Sequence, residues 1–251
     1  MNEWQEERKI FMEKIAQEIT ASTNDTIVLK GGTALLLAYA LDRFSEDMDF
    51  DGKYSVELEK HIECAASKCG IAIKTINLSK NTDVTRRYKV HYETEKENRP
   101  HPLVAECSFR QASTINEADV VEINGIRVYR VNKLAEQKVA AFLRRERARD
   151  IWDIRFLLRR YPEAFNDNIL ERLINGIDKK GIDAILETYE KDSKTDYILS
   201  NTDGATVVRE LEEMARGLKH SRDRSRAIEK PARYYEPPDR SSDRSDERDH
   251  R

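Results

Sequence analysis

The chain has 251 residues, with 44 Lys and Arg against 47 Asp and Glu and a net charge of −3, so it lacks the basic excess that marks many nucleic-acid binders. Charged residues make up 36% and mean hydropathy is −0.76, and the longest apolar stretch, Ala34 to Leu41, is far too short to span a membrane. Three cysteines (Cys64, Cys69, Cys107) without a CxxC argue against a disulfide framework or a cysteine zinc site, and the acidic N-terminus does not read as a signal peptide, so a cytoplasmic protein is expected.

Trp4, Phe11, Ile15 and Ile19 recur at helical intervals between Asn2 and Ser22. Thr26-Ile27-Val28-Leu29 is a short β-branched run that stops at Gly31-Gly32, and Thr33 to Leu41 then reads as a buried helix. A strand is expected over Asp47–Asp51, with Asp51 before Gly52 reading as a turn residue. Ser55 is a candidate cap for a helix running to Cys69 and closed by Gly70. Strands follow around 71–77, 84–92 and 103–109, and Asn124-Gly125 between Val120–Ile123 and Ile126–Tyr129 is a strong two-residue hairpin signal. After Asn132 the pattern turns helical, over 133–145, 147–160, 166–175, 179–190 and 204–218.

A strand-rich first half and a helical second half predict an α+β fold, with a core over residues 1–131 and a helical lobe over 132–220. Residues 221–251 hold nine Lys and Arg and eight Asp and Glu with few large apolar side chains. Such a segment buries too little surface to offset its ordering entropy, so it is expected to be a disordered tail. Its Ser221–Arg226 run could touch RNA, but the alternating acids argue against a strong phosphate grip.

Asp47 and Asp49 stand two apart on a strand, so their carboxylates share a face, the arrangement a hard oxygen-seeking cation such as Mg²⁺ requires. By itself a D-x-D pair is also a common surface feature. Lys30-Gly31-Gly32-Thr33 joins a strand to a helix. There the glycines allow close backbone approach, the helix start offers unpaired amides to an anion, and the Thr33 hydroxyl could meet a phosphate oxygen. The plain alternative is a strand-to-helix turn. Glu106, on the strand Leu103–Phe109, alternates away from Leu103, Ala105 and Cys107 and could be a third metal-binding acid or a solvated residue. Lys138 lies on the apolar stripe of its helix, four residues after Leu134 and four before Phe142, where a lysine snorkels or meets something negative. Asp150 and Asp153 share a helix face; they could orient Lys138, pair with arginines or act on substrate.

Taken together, Lys30-Gly31-Gly32-Thr33-Ala34-Leu35 and Arg43-Phe44-Ser45-Glu46-Asp47-Met48-Asp49-Phe50, followed by Lys133–Lys138 and Arg149–Asp153, resemble the signature of AbiEii-type toxins in the DNA polymerase β-like nucleotidyltransferase superfamily. The resemblance covers about residues 25–160. It implies a mixed β-sheet core flanked by helices and extended by a C-terminal helical lobe. It assigns Lys30, Gly31, Gly32, Thr33, Ser45 and Lys138 to the nucleotide, and Asp47 and Asp49 to Mg²⁺, with two ions expected. Lys138 would neutralise developing phosphate charge, Asp150 and Asp153 form the distal acidic motif of the catalytic set, and Glu106 is added only by strand position. The implied reaction moves a nucleoside monophosphate from an NTP to an acceptor that can be RNA or a tRNA end, in a toxin–antitoxin or abortive-infection system with a cognate antitoxin protein and no membrane component. Two alternatives share these residues: a small-molecule, antibiotic-type nucleotidyltransferase, and a degenerate binding module, against which intact Asp47, Asp49 and Lys138 weigh.

Overall fold

Helix α1 (Glu3–Ser22) begins at a reciprocal cap in which the Asn2 side chain accepts from the Gln5 amide and the Gln5 side chain from the Asn2 amide. This computed structural model describes residues 1–23, 26–53, 56–94, 96, 101–110, 115–145, 147–194 and 196–229. Strand β1 (Ile27–Lys30) runs straight into α2 (Gly31–Tyr39), whose Ala34, Leu35 and Leu36 are all buried. Strand β2 (Asp47–Gly52), α3 (Glu59–Cys69), the hairpin β3 (Ile73–Thr82) and β4 (Thr85–Tyr92), and β5 (Leu103–Ser108) follow. The expected cap Ser55 lies outside the described residues. Strands β6 (Val120–Ile123) and β7 (Ile126–Tyr129) form the hairpin expected at Asn124-Gly125, with both turn residues at positive φ (53° and 73°), the backbone that a two-residue turn of this kind demands.

The strands make one seven-stranded mixed sheet in the order β3-β4-β5-β2-β1-β7-β6. Strand β1 is antiparallel to β2, whereas β2 with β5 and β1 with β7 are parallel. Alternation along β2 sends Met48 and Phe50 into the core and Asp47, Asp49 and Asp51 to the opposite face. Asp51 is thus a strand residue, not the expected turn residue. Gly52 also stays in the ladder, opposite Ile27. A Cβ on Gly52 would come within 2.8 Å of the Phe109 ring and 2.9 Å of Cys107 Sγ, so packing rather than turning explains that glycine.

Helices α4 (Val131–Arg144), α5 (Ala148–Arg160), α6 (Asp167–Lys180), α7 (Ile182–Ser193), the short α8 (Tyr197–Ser200) and α9 (Gly204–Glu229) follow. Their buried faces, including Leu134, Val139, Leu157, Leu170 and Leu211, belong to the same apolar cluster as Phe11, Leu29 and Phe50. Among the described residues no helix is long and apolar enough to cross a membrane.

Helix α9 contradicts the disorder expected over residues 221–229, which continue it, and the rest of the expected tail lies outside the described residues. Composition misleads here because the segment is held by charge. Lys219 pairs with Glu171 at 3.0 Å, Arg222 donates to the carbonyls of Phe165 and Pro162, and Arg226 pairs with Asp167. These basic residues recur on one helical face that meets the N-terminal half of α6. Ending the chain after Glu229 should leave the melting temperature unchanged. Ending it after His220 removes Arg222, whose charge-assisted bonds are worth about 1.5–3 kcal/mol, and should lower Tm by several degrees at about 2–4 °C per kcal/mol. Equal melting curves for the two truncated chains would show that residues 221–229 contribute nothing.

Candidate active site

The turn between β1 and α2 is shaped by two glycines for different reasons. Gly31 has φ +75°, and a Cβ there would stand 3.2 Å from Asp49 Oδ2. Gly32 faces the loop before β2, where a Cβ would sit 2.8 Å from Ser45 Oγ and 3.0 Å from Arg43 Nη2. The glycine pair therefore leaves open a space that side chains would fill, beside carboxylate and hydroxyl groups. Lys30, the residue before the helix, makes no side-chain cap, so no side chain of that residue occupies the first-turn amides of α2.

Thr33 does not face this space as expected. It is fully buried, and its hydroxyl lies 2.9 Å from Ser45 Oγ and bonds the Asp47 carbonyl. Its effect is to pin the start of β2 to α2, a positioning role in place of the phosphate contact predicted from the motif.

Register along β2 settles which acids meet. Asp49 lies opposite Lys30 on β1 and beside Glu106 on parallel β5, so Glu106 does share the face of the aspartate pair. Its carboxylate, however, is held by Arg87 at 2.5 Å. Among the described residues, no group of three His, Cys, Asp or Glu side chains stands ready to hold a metal. Asp47 and Asp49 are themselves raised above the usual carboxylate range. Desolvation is the main cause for both; Asp49 and Glu46 add repulsion at Asp47, while Lys30 offsets part of the shift at Asp49 and Glu106 adds to it. Two acids on one strand face that resist ionisation together, at a cleft kept open by glycines, fit a hard divalent cation. Asp51 plays a different part. It is buried, accepts from Lys30 Nζ at 2.5 Å and from the Tyr129 hydroxyl at 3.0 Å, and so anchors Lys30 beside the pair.

Lys138 reaches the same region from α4. Its Nζ lies 2.5 Å from Asp153 and 3.6 Å from Asp150. Asp153 is completely buried and receives a two-pronged contact from Arg43, at 2.7 and 2.8 Å. Asp150 receives another from Arg145, at 2.7 and 3.0 Å. Burial alone would raise Asp153, but Arg43 first and Lys138 second hold it below the ordinary range. Of the three roles open to Asp150 and Asp153, the geometry gives them two: orienting Lys138 and pairing with arginines. Arg43, Arg145, Asp51 and Tyr129 were missed as site residues. Only Arg43 carried any signal, through its place in the stretch leading to Asp49.

Two clefts meet at Asp49 and Lys138. One, of about 440 Å³, is bordered by Gly32, Ser45, Asp47 and the arginines Arg145, Arg147 and Arg149. The other, of about 600 Å³, lies between Lys30, Asp51 and the α4 residues Lys133, Gln137 and Arg144.

The fold recurs in solved proteins. JHP933 from Helicobacter pylori aligns with a TM-score of 0.80 and 31% identity, over 91% of this chain and 97% of that one. A second Helicobacter pylori structure aligns with a TM-score of 0.79 and 32% identity, over 90% and 99%. MenT4, a nucleotidyltransferase toxin of Mycobacterium tuberculosis, shares the fold at a TM-score of 0.50 and 15% identity, over 86% and 85%. No curated relative matches the chain. The architecture is that of a nucleotidyltransferase. Residues 16–244 match the family described as "Nucleotidyl transferase AbiEii toxin, Type IV TA system". The chain belongs to that family and is an NTP-dependent nucleotidyltransferase.

The raised carboxylates lead to a stability test. A folded acid whose pKa exceeds its unfolded value costs stability once pH rises through the ordinary carboxylate range. Asp49→Asn should therefore melt at or above the wild-type temperature at neutral pH without divalent cations, and the difference should shrink as pH falls toward that range. A variant melting well below wild type under these conditions would mean that Asp49 is a stabilising, satisfied carboxylate.

Proposed function

We propose that this protein performs Mg²⁺-dependent transfer of a nucleoside monophosphate from an NTP to an RNA acceptor, a tRNA end being the favoured form, as the toxin partner of a cognate antitoxin. The observation that carries this reading is the meeting of the Asp47–Asp49 pair and the clamped Lys138 at the junction of two clefts. In it the triphosphate occupies the arginine-rimmed cleft beside Gly31-Gly32 and Ser45, and the nucleoside extends into the cleft under α4.

An acceptor hydroxyl oxygen attacks the α-phosphorus, the bond to the bridging oxygen of the β-phosphate breaks, pyrophosphate departs with the electron pair, and the hydroxyl proton is released to water. Asp47 and Asp49 would hold the cation, and Glu106 stands beside them. Bound Mg²⁺ supplies charge stabilisation to phosphate oxygens. The chain's own contribution is preorganised. Lys138 and Arg145 oppose charge growing on the leaving pyrophosphate, and the α2 amides add fixed dipoles that need no rearrangement during reaction. Asp150 and Asp153 act through Lys138, by fixing where its ammonium points.

Incubating the protein with each labelled nucleoside triphosphate, Mg²⁺ and total RNA should place label on RNA, and chelation should abolish it. Label that appears on small molecules of a cell extract but never on RNA would replace the RNA reading with the antibiotic-type one. Lys138→Met removes a charge-assisted contact of about 1.5–3 kcal/mol and should slow transfer on the order of tenfold to a hundredfold. The Arg43 and Arg145 contacts still compensate Asp153 and Asp150, so the variant should stay folded. An unchanged rate from folded Lys138→Met would return this lysine to a structural role.

A further inference from the structure

The sheet face that carries Asp47, Asp49 and Glu106 does not end at β5. Register continues it onto β4, where Arg87 lies opposite Glu106 and Lys89 opposite Val104. It then reaches β3, where Lys80 lies opposite Arg87 and Asn77 opposite Lys89. The two faces of β4 differ sharply. Tyr88, Val90 and Tyr92 are buried, with Tyr92 edge-on to Phe11 of α1, whereas Arg87 and Lys89 are exposed. On β3, Thr75 and Asn77 are exposed as well.

This uncovered half carries Lys80, Arg87, Lys89 and the partly exposed His91. Glu106 is the one carboxylate at the matching register positions, and Arg87 already neutralises it. Among the described residues no carboxylate pairs with Lys80 or Lys89. Protection against edge-to-edge aggregation would account for lysines on the outer strand β3. It does not account for Arg87 and Lys89, because β4 is paired on both sides. A basic row that crosses β3 and β4 and leads directly to the carboxylate pair is complementary to an anionic strand laid along it.

We propose that this face is the acceptor platform, across which the single-stranded end of an RNA lies with its phosphates over Lys80, Lys89 and Arg87 and its terminal hydroxyl at Asp49. The inference rests on the RNA-acceptor reading above. From β3 to β2 is three strand spacings, about 14 Å at about 4.8 Å each. That path approaches the carboxylate pair from the β5 side, whereas Lys30 and the cleft under α4 lie on the β1 side, so nucleotide and acceptor do not compete for one space.

The test uses the full chain, the double variant Lys80→Glu/Lys89→Glu, and Lys60→Glu as a control on α3, which is exposed and lies outside this face. Binding of a short fluorescein-labelled single-stranded oligoribonucleotide is followed by anisotropy over a salt series, alongside KM for RNA in transfer. The double variant should lose about tenfold in affinity or more, with the slope of log K against log salt shallower by about 1–2. KM for RNA should rise more than kcat falls, and Lys60→Glu should behave as wild type. Should the charge reversals lower the melting temperature, Lys80→Gln/Lys89→Gln gives the same comparison with a smaller loss. If wild type labels RNA while the double variant keeps its affinity and KM, the platform is wrong and the RNA reading stands. Equal damage from Lys60→Glu would reduce the effect to net charge and also overturn the platform. Failure of wild type to label any RNA while it binds triphosphate would remove both.

Discussion

Asp153 is the carboxylate on which the rest of the site depends. It is fully buried on α5, and its two oxygens are taken by Arg43 from the loop before β2 and Lys138 from α4. A buried ion costs several kcal/mol in desolvation, which Asp153 offsets only while its partners stay close. The three elements that carry these side chains therefore cannot separate without exposing or stranding charge. All three border the clefts, so the contact that docks the helical lobe on the sheet also fixes the Lys138 ammonium at the junction between them. Asp150 with Arg145 repeats the arrangement one turn earlier, nearer the surface.

The same residue type takes opposite roles along β2 because depth differs. Asp51 is buried and fully partnered by Lys30 and Tyr129, so it positions rather than reacts. Asp49 is half-buried and Asp47 exposed, and among the described residues neither carboxylate takes part in an ion pair. Desolvation and the neighbouring acids make them poor carboxylates for folding. Lys30 links the two cases, held by Asp51 while lowering the cost of ionising Asp49.

Features carried by spacing within one element were legible in the sequence. Asn124-Gly125 demanded a hairpin, the Asp47 and Asp49 alternation placed both acids on one face, and Lys138 was out of place on an apolar stripe. Mixed-sheet fold and family followed from those motifs in order. What was not legible depends on partners far apart in the chain. Arg43 and Asp153 are 110 positions apart, and nothing periodic announces their pairing. Thr33 looked ligand-facing because its motif neighbours line the clefts, yet the carbonyl of Asp47 folds back onto its hydroxyl. Residues 221–229 looked disordered because composition counts apolar burial and cannot see arginines meeting an acid at the start of α6 and the carbonyls of Pro162 and Phe165 before it.

These two electrostatic regions differ in depth, and the deeper one holds the elements that carry the shallower. Asp47 and Asp49 ride on one strand, so a shift of β2 away from the glycine turn would leave their separation unchanged and relieve only their desolvation. Movement of the loop before β2 would also withdraw Arg43 from Asp153, because that loop is continuous with the strand. The second event exposes a wholly buried charge pair, while the first relieves only partly solvated carboxylates. The clamp therefore holds β2 against the glycine turn, and the aspartate pair keeps its place at the junction of the two clefts. Preorganisation of this kind places its cost in folding rather than in the reaction step, which is why the deepest charge cluster lies beside the least satisfied one.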